Sequence, residues 1–279
     1  FNGNLENITA DVELQTSEGN IIAEGFLKSQ GEIAFNGEVQ VLDLDLGTLL
    51  QNEKLGELTL TINGTGQGAN INSLDATLDA EIKSFSFNGY PITSLGITGE
   101  VIDGKGTVYS QYQDDNLNME MENFLILDSV ATQVNTDLDV IGANLQALGM
   151  TRRLIKVGFE FDASFKGNAE EYDVNAEIVD GVTVYGNKSY LLGDFLLSAR
   201  VRQDSTAMDI VNQLLNVSLR SNADPGSFAN ALQRHYRSYL SATVETDTVE
   251  NPVNLQFHAE ARAEVSCLCA CFHRRRSIR

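Results

Sequence analysis

Tryptophan is absent from the 279 residues, and proline and histidine occur three times each. So little proline rules out a Pro-rich linker. The three cysteines, Cys267, Cys269 and Cys271, all lie in the final stretch "VSCLCACFHRRRSIR", so residues 1–264 have none for a disulfide framework or a thiolate metal site. No window approaches the run of roughly 20 apolar residues that spans a bilayer, and no secretory signal stands at the start. The chain opens on Phe1 rather than a methionine and reads as a piece of a longer protein.

Positive charge is also scarce. The formal net charge is −20, and residues 265–279 carry four arginines and no acid, which leaves residues 1–264 at −24. A body that acidic repels phosphate backbones, which argues against a nucleic-acid partner. The sequence likewise displays no basic patch for docking on anionic lipid. The acids serve solubility in a strand-rich chain. The tail breaks in composition from everything before it. Its C-x-C-x-C spacing matches no zinc pattern, so residues 265–279 read as a non-native or disordered end.

What the sequence has in abundance is alternation. In "GFEFDASFKG", Phe159, Phe161, Ala163 and Phe165 fall on one face and Glu160, Asp162, Ser164 and Lys166 on the other. The pattern recurs with Leu58, Leu60 and Ile62; with Ala76, Leu78, Ala80 and Ile82; with Val174, Ala176 and Ile178; and with Phe195, Leu197, Ala199 and Val201. One apolar and one polar face per strand predicts antiparallel sheet with one side wet. Asn63-Gly64 reads as a hairpin turn closing "LTLTING". After Ile82 the apolar phase slips to Phe85 and Phe87, which predicts a bulge.

Helical signals are short. "LGTLLQN" and "GANLQALGM" each suit a turn or two. Thr206 and Asp209 resemble a capping box before Ile210, Val211, Leu214 and Leu215. In "DPGSFANALQRHYRSYL", Asp224 reads as N-cap and Pro225 as the first helical residue, with Phe228, Leu232, Tyr236 and Tyr239 on one face.

Self-comparison aligns residues 42–101 with 136–201: an Asp-rich strand, a short Leu-bearing turn, two long alternating strands and a Gly-containing turn before Tyr. Asp45 matches Asp139, Gly64 matches Gly167 and Tyr90 matches Tyr190. Such repeats predict a body in which each unit buries its face against the next. The organisation follows: 1–38 ends a preceding β unit, 39–133 and 134–204 are two groove repeats, 205–264 is a helix-containing β segment, and 265–279 is the tail.

Chemistry-bearing constellations are missing. His235 and His258 have no partner at ligand or triad spacing. "NGTGQG" follows a strand but precedes another strand, so no helix N-terminus awaits a phosphate. Asp114, Asp115 and Asn116 lack the order of a calcium loop. No catalytic residue, cofactor site or metal site is predicted.

The apolar face remains. It suits either a closed β sandwich or a curved sheet whose open face solvates acyl chains. The unit "D-L-D-L-x-x-L-L", alternating strand, N-G-Y and a further strand, over 39–101 and 134–202, resembles the AsmA-like superfamily, and within it TamB-type proteins. The resemblance implies a β-taco groove in the periplasm and an inner-membrane anchor upstream. It also implies phospholipid transport toward the outer membrane, and a partner that is an outer-membrane barrel assembly protein.

The reading is therefore a mostly β, elongated antiparallel groove, repeat-built, with a few short helices and no enzymatic role. Its lipid-groove lining is Leu58, Leu60, Ile62, Ala76, Leu78, Ala80, Ile82, Phe159, Phe161, Ala163, Phe165, Val174, Ala176, Ile178, Phe195, Leu197, Ala199 and Val201. The alternative is a β-sandwich or stalk scaffold that binds protein.

Overall fold

The computed structural model describes residues 2–4, 7–29, 31–231 and 253–261. It is mostly β and antiparallel, with short helices, as the alternation predicts. In chain order the first strands are β1 (Asn2–Asn4), β2 (Asn7–Thr16), β3 (Gly19–Lys28) and β4 (Ile33–Asp45), followed by the five-residue helix α1 (Leu46–Leu50). Next come β5 (Leu55–Gly68), a 3₁₀ turn (Ile71–Ser73), β6 (Asp75–Phe87), β7 (Tyr90–Ile102), β8 (Lys105–Gln113), β9 (Leu117–Ile126) and β10 (Thr132–Asn144). The series continues with β11 (Ile155–Gly167), β12 (Tyr172–Tyr185), β13 (Lys188–Leu191), β14 (Phe195–Arg202), β15 (Ser205–Asn212), β16 (Leu215–Ser221) and β17 (Leu255–Ala261).

The chain divides into two compact units, one of Phe1–Ser164 with Val179–Leu192 and the other of Phe165–Ile178 with Gly193–Arg279. In the first, β1 to β10 form a meander in which each strand pairs with the next. β11 follows beside β10, and the end of β12 pairs with β13. In the second, the start of β12 pairs with β14, and β15, β16 and β17 follow in order.

Local chemistry explains several joints. Asp45 caps α1: its Oδ1 accepts the Thr48 amide at 3.0 Å and its Oδ2 the Thr48 hydroxyl at 2.7 Å. Asp139 lies within β10. There the capping role after the strand falls to Asn144, whose Oδ1 accepts the Ala147 amide at 3.3 Å. "GANLQALGM" therefore forms turns rather than a helix, ending at Gly149 with φ +69°. The phase slip after Ile82 is a bulge: Thr59 faces Ser84 and Leu60 faces Ile82, so Lys83 is the extra residue. It returns Phe85 to the apolar side, opposite Leu58.

Two expectations are overturned. Asn63 and Gly64 make no turn. They sit mid-strand in β5, with Asn63 between Glu38 and Asp79 and Gly64 between Gly37 and Leu78. Ladder pairing on both sides outweighs the local turn preference of the dipeptide. Thr206 and Asp209 cap no helix either, because both lie in β15. The Thr206 hydroxyl, buried, donates instead to the Ala223 carbonyl at 2.7 Å. The helix expected after Asp224 does begin there. Residues 225–231 are helical, and Asp224 Oδ1 accepts the amides of Gly226 and Ser227 at 2.9 and 3.0 Å. Leu232, Tyr236, Tyr239 and His235 lie outside the described residues, as do the tail cysteines.

Candidate functional site

In the first unit the registers put one cross-strand row through nine strands: Val12, Ala23, Val39, Ile62, Ala80, Ile97, Ser110, Met121 and Leu138. The row beside it runs Leu14, Ile21, Val41, Leu60, Ile82, Leu95. On the other side of the first row lie Gly25, Gly37, Gly64, Leu78, Gly99 and Val108. This face is therefore apolar in strand after strand, and thin where the glycines align. The opposite face carries Asp11, Glu24, Glu38, Asn63, Asp79, Thr98, Tyr109, Glu122 and Asp137 in one row.

The apolar face is unevenly covered. Val12 is 40 % exposed at the β2 end, the residues of β3 to β7 in the same row are half-buried, and Ser110 on β8 is 2 % exposed. No large side chain among the described residues is fully buried. A packed sandwich would bury this row throughout. Cover is best toward β10, where Tyr90, Val140, Ala143 and Leu148 form a buried cluster. Val157, Leu138, Met119 and the predicted liner Phe159 pack against it.

The rim beside this cluster is tied by one carboxylate. Asp114 Oδ2 accepts the hydroxyls of Tyr90 and, at 2.7 Å, Tyr112; its Oδ1 accepts the amides of Asn116 and Leu117 at 2.7 and 2.8 Å. Burial alone would raise the Asp114 pKa, but these four hydrogen bonds together hold it down at about 2. Tyr90 is pushed up to about 12, first by burial and then by its bond to Asp114. The stretch Asp114–Asn116, which lacks the order of a calcium loop, is a turn locked by Asp114. No group of three or more metal-ligating side chains occurs among the described residues.

The predicted liners separate by unit. Leu58, Leu60, Ile62, Ala76, Leu78, Ala80 and Ile82 share the apolar face of β5 and β6 and are half-buried, as are Phe159, Phe161 and Ala163 on β11. In the second unit, Val174, Ala176 and Ile178 on β12 stand opposite Ala199, Leu197 and Phe195 on β14, and Val201 stands opposite Tyr172. Phe165 stacks at a tilt on Tyr172, with ring centroids 5.6 Å apart. Val201 is buried and Phe195 exposed.

This second apolar face extends through residues that the sequence pattern did not assign to it, Ile210 among them having been expected on a helix. Ala199 faces Met208, which faces Leu219, then Phe257; Leu197 faces Ile210, then Val217, then Ala259. The signal for Met208 and Ile210 was their alternation with Ala207 and Asp209, which the capping-box pattern obscured. The polar side of this unit is held by ion pairs: Arg200 and Arg202 on Asp173 at 3.1 and 3.0 Å, and Arg220 on Asp209 at 2.7 Å. His258 lies on that side, opposite Ser218.

Such an arrangement offers apolar surface for an apolar ligand and hydrated carboxylates for solubility. No protein-family model, curated protein or solved structure matches the chain.

Proposed function

We propose that the chain holds acyl chains of phospholipid against the apolar faces of its two units, as one segment of a lipid conduit. The observation that carries this reading is the half-exposed apolar row from Val12 to Ile97, set back to back with a row of carboxylates. An apolar face left half-open in water is unfavourable by roughly 25 cal/mol per Å² exposed. An acyl chain relieves that exposure without chemistry. Two chains with about 15 buried methylenes each gain roughly 24 kcal/mol over water, at ~0.8 kcal/mol per methylene. Bilayer and apolar face offset that loss alike, so lipid moves between them with little net gradient.

The resemblance to TamB-type proteins extends the proposal: a periplasmic location, an inner-membrane anchor of the kind those proteins have, and a barrel-assembly partner in the outer membrane. The resemblance alone supplies these three.

The test is to purify residues 1–264 from bacteria without detergent, extract with organic solvent and count phospholipid per protein by mass spectrometry. Ile62→Asp serves as the control, because Ile62 lies mid-row between Val39 and Ala80. Near-stoichiometric phospholipid, lost in a control that keeps its circular dichroism, supports the conduit. A lipid-free monodisperse protein whose Ile62→Asp variant unfolds would instead favour a closed scaffold, since an aspartate in a dry core costs several kcal/mol.

A further inference from the structure

The carboxylate-bearing side of the first unit holds an apolar depression of about 450 Å³ where β10, β11 and β12 come together. Three backbone irregularities build it. In β10, Val140 faces Met119 and Gly142 faces Asn118, so Ile141 is the extra residue of a bulge and stands 54 % exposed. In β11, Gly158 passes close to that bulge. A methyl group built on it would lie 3.2 Å from the carbonyl oxygens of both Val140 and Ile141. In β12, Asp180 has φ +50°, a left-handed conformation inside a strand.

Val157 and Phe159 pack on the buried cluster, and Lys156, Gly158 and Glu160 alternate with them onto the other side of β11. Val182 and Val184 line the depression. Leu191, directly opposite Val182 on β13 and 85 % exposed, extends its apolar surface. Charge surrounds this floor. Asp139 on β10, Glu160 on β11 and Asp180 on β12 share the lining with one cation, Lys156, and all four are exposed. None of the four forms an ion pair with a described residue. Three carboxylates against one ammonium leave two negative charges over, on a chain whose net charge is already −20. Neighbouring strands lie about 4.8 Å apart, so the carboxylates spread over roughly 10 Å.

An apolar centre inside a charged rim is the make-up of a protein-recognition surface, and the charge selects the partner. A second copy of the chain, a nucleic acid or an anionic bilayer meets net repulsion here. A small alkyl cation places its charge at one point and reaches one carboxylate. In an extended peptide, cationic residues on either side of an apolar pair stand about 10 Å apart, which matches the rim. We infer that the depression docks a basic segment of a protein partner. Its aliphatic or aromatic side chains seat over Gly142 and Gly158, and flanking lysine or arginine side chains meet Asp139, Glu160 and Asp180. The site lies on the opposite side of the sheet from the proposed acyl-chain face, so it stands or fails independently of that reading.

The probe is fluorescein-labelled Lys-Lys-Phe-Leu-Lys-Lys, followed by anisotropy with the full chain at low ionic strength. Lys-Lys-Ser-Ser-Lys-Lys, of equal charge, is the comparison. The Phe-Leu peptide should bind about tenfold more tightly or better. A Cβ on Gly142 meets nothing within 4 Å and its φ is not left-handed, so Gly142→Phe fills the depression without strain. That variant should reduce the Phe-Leu peptide to the level of the Ser-Ser one. Leu191→Ser, at a side chain too exposed to hold a core, should weaken binding about two- to threefold. Asp139→Asn with Glu160→Gln should weaken it roughly fivefold. Glu24→Gln with Asp79→Asn, the same charge change elsewhere on the polar face, should weaken it by less than about twofold. Circular dichroism checks the fold of each variant.

No binding of the Phe-Leu peptide would overturn the inference. Equal binding of the two peptides would also overturn it, by reducing the contact to general attraction to an acidic face. So would binding that survives Gly142→Phe in a folded protein, or an equal loss from the Glu24 and Asp79 pair. Should Gly142→Phe lose its circular dichroism, Leu191→Ser and the Asp139 and Glu160 pair decide, and undiminished binding in both overturns the site. Loss in Ile62→Asp rather than Gly142→Phe would move the peptide to the acyl-chain face. Dodecylamine bound here, and blocked by Gly142→Phe, with no binding of the peptide would transfer the site to a small amphiphilic cation and overturn the protein partner.

Discussion

The ring of Phe35 lies over Gly66, its directly opposed partner across β4 and β5: a methyl group built on Gly66 would stand 2.6 Å from the ring Cζ. The neighbouring Gly64 is covered by the same ring, with its added methyl 3.7 Å from Cε2. An aromatic side chain thus fills the gap that two strand glycines leave, which explains how glycine is tolerated in the middle of a long strand. Gly66→Val should displace the ring and destabilise the protein by about 1–3 kcal/mol. Phe35→Ala combined with Gly66→Val should lose less than the two changes summed, because they compete for one space. Urea unfolding of the three variants reads the coupling directly.

That relationship marks where sequence reading reached and where it stopped. Alternation in "ATLDAEI" and "GFEFDASFKG" identified strands and faces because period two has only one structural meaning over six or more residues. The bulge after Ile82 was legible for the same reason, as a break in phase. Asn63-Gly64 misled because turn preference is local, whereas pairing with β4 and β6 is not. Thr206 misled because a capping pattern of two residues carries less information than the alternation around it. Division of the candidate liners between two units was illegible, since it depends on which residues become neighbours across the sheet. So was the meeting of Arg153 with Tyr185, 32 positions apart.

Asp114 and Tyr90 make stability pH-dependent on both sides. Asp114 has a folded pKa near 2 against an ordinary value of 3.8, so its contribution is complete above about pH 4 and is lost as pH falls toward 2. Tyr90 rises to about 12 from 10.0, so its contribution is complete below pH 10 and is lost as pH rises from 10 to 12. Asp114→Asn should flatten the acid limb of a stability–pH profile, and Tyr90→Phe the alkaline limb. Asp114→Asn should also cost about 1–3 kcal/mol near neutrality, through weakened hydrogen bonds at a carboxylate that accepts four. Denaturant midpoints between pH 2 and 12 measure both limbs.

The polar face stores repulsion. Asp11, Glu24 and Glu38 stand abreast on β2, β3 and β4, each directly opposite the next. Like charges in register oppose pairing by a few tenths to about 1 kcal/mol per pair. Glu24→Lys replaces two repulsions with two attractions and should stabilise the protein by about 1 kcal/mol at low ionic strength. The gain should shrink in 1 M salt, where the Debye length falls to about 3 Å. An unchanged melting temperature in both buffers would mean that the three carboxylates are already fully solvated.

Ala80 offers the sharpest separation between an open and a filled face. It sits in the apolar row between Ile62 and Ile97, small among larger neighbours and half-buried. In a closed core, Ala80→Phe would force side chains off their rotamers and cost about 1–3 kcal/mol. On an open face the phenyl ring has solvent to displace, and stability should stay within about 0.5 kcal/mol of the parent. The same ring occupies the width that an acyl chain would use, so bound phospholipid should fall while the fold persists. Parallel measurement of urea midpoint and extracted lipid distinguishes the cases. A destabilised protein points to a packed interior, and a stable protein with less lipid points to an open face. A stable protein with unchanged lipid would place the acyl chains elsewhere than on the Ile62–Ala80–Ile97 row.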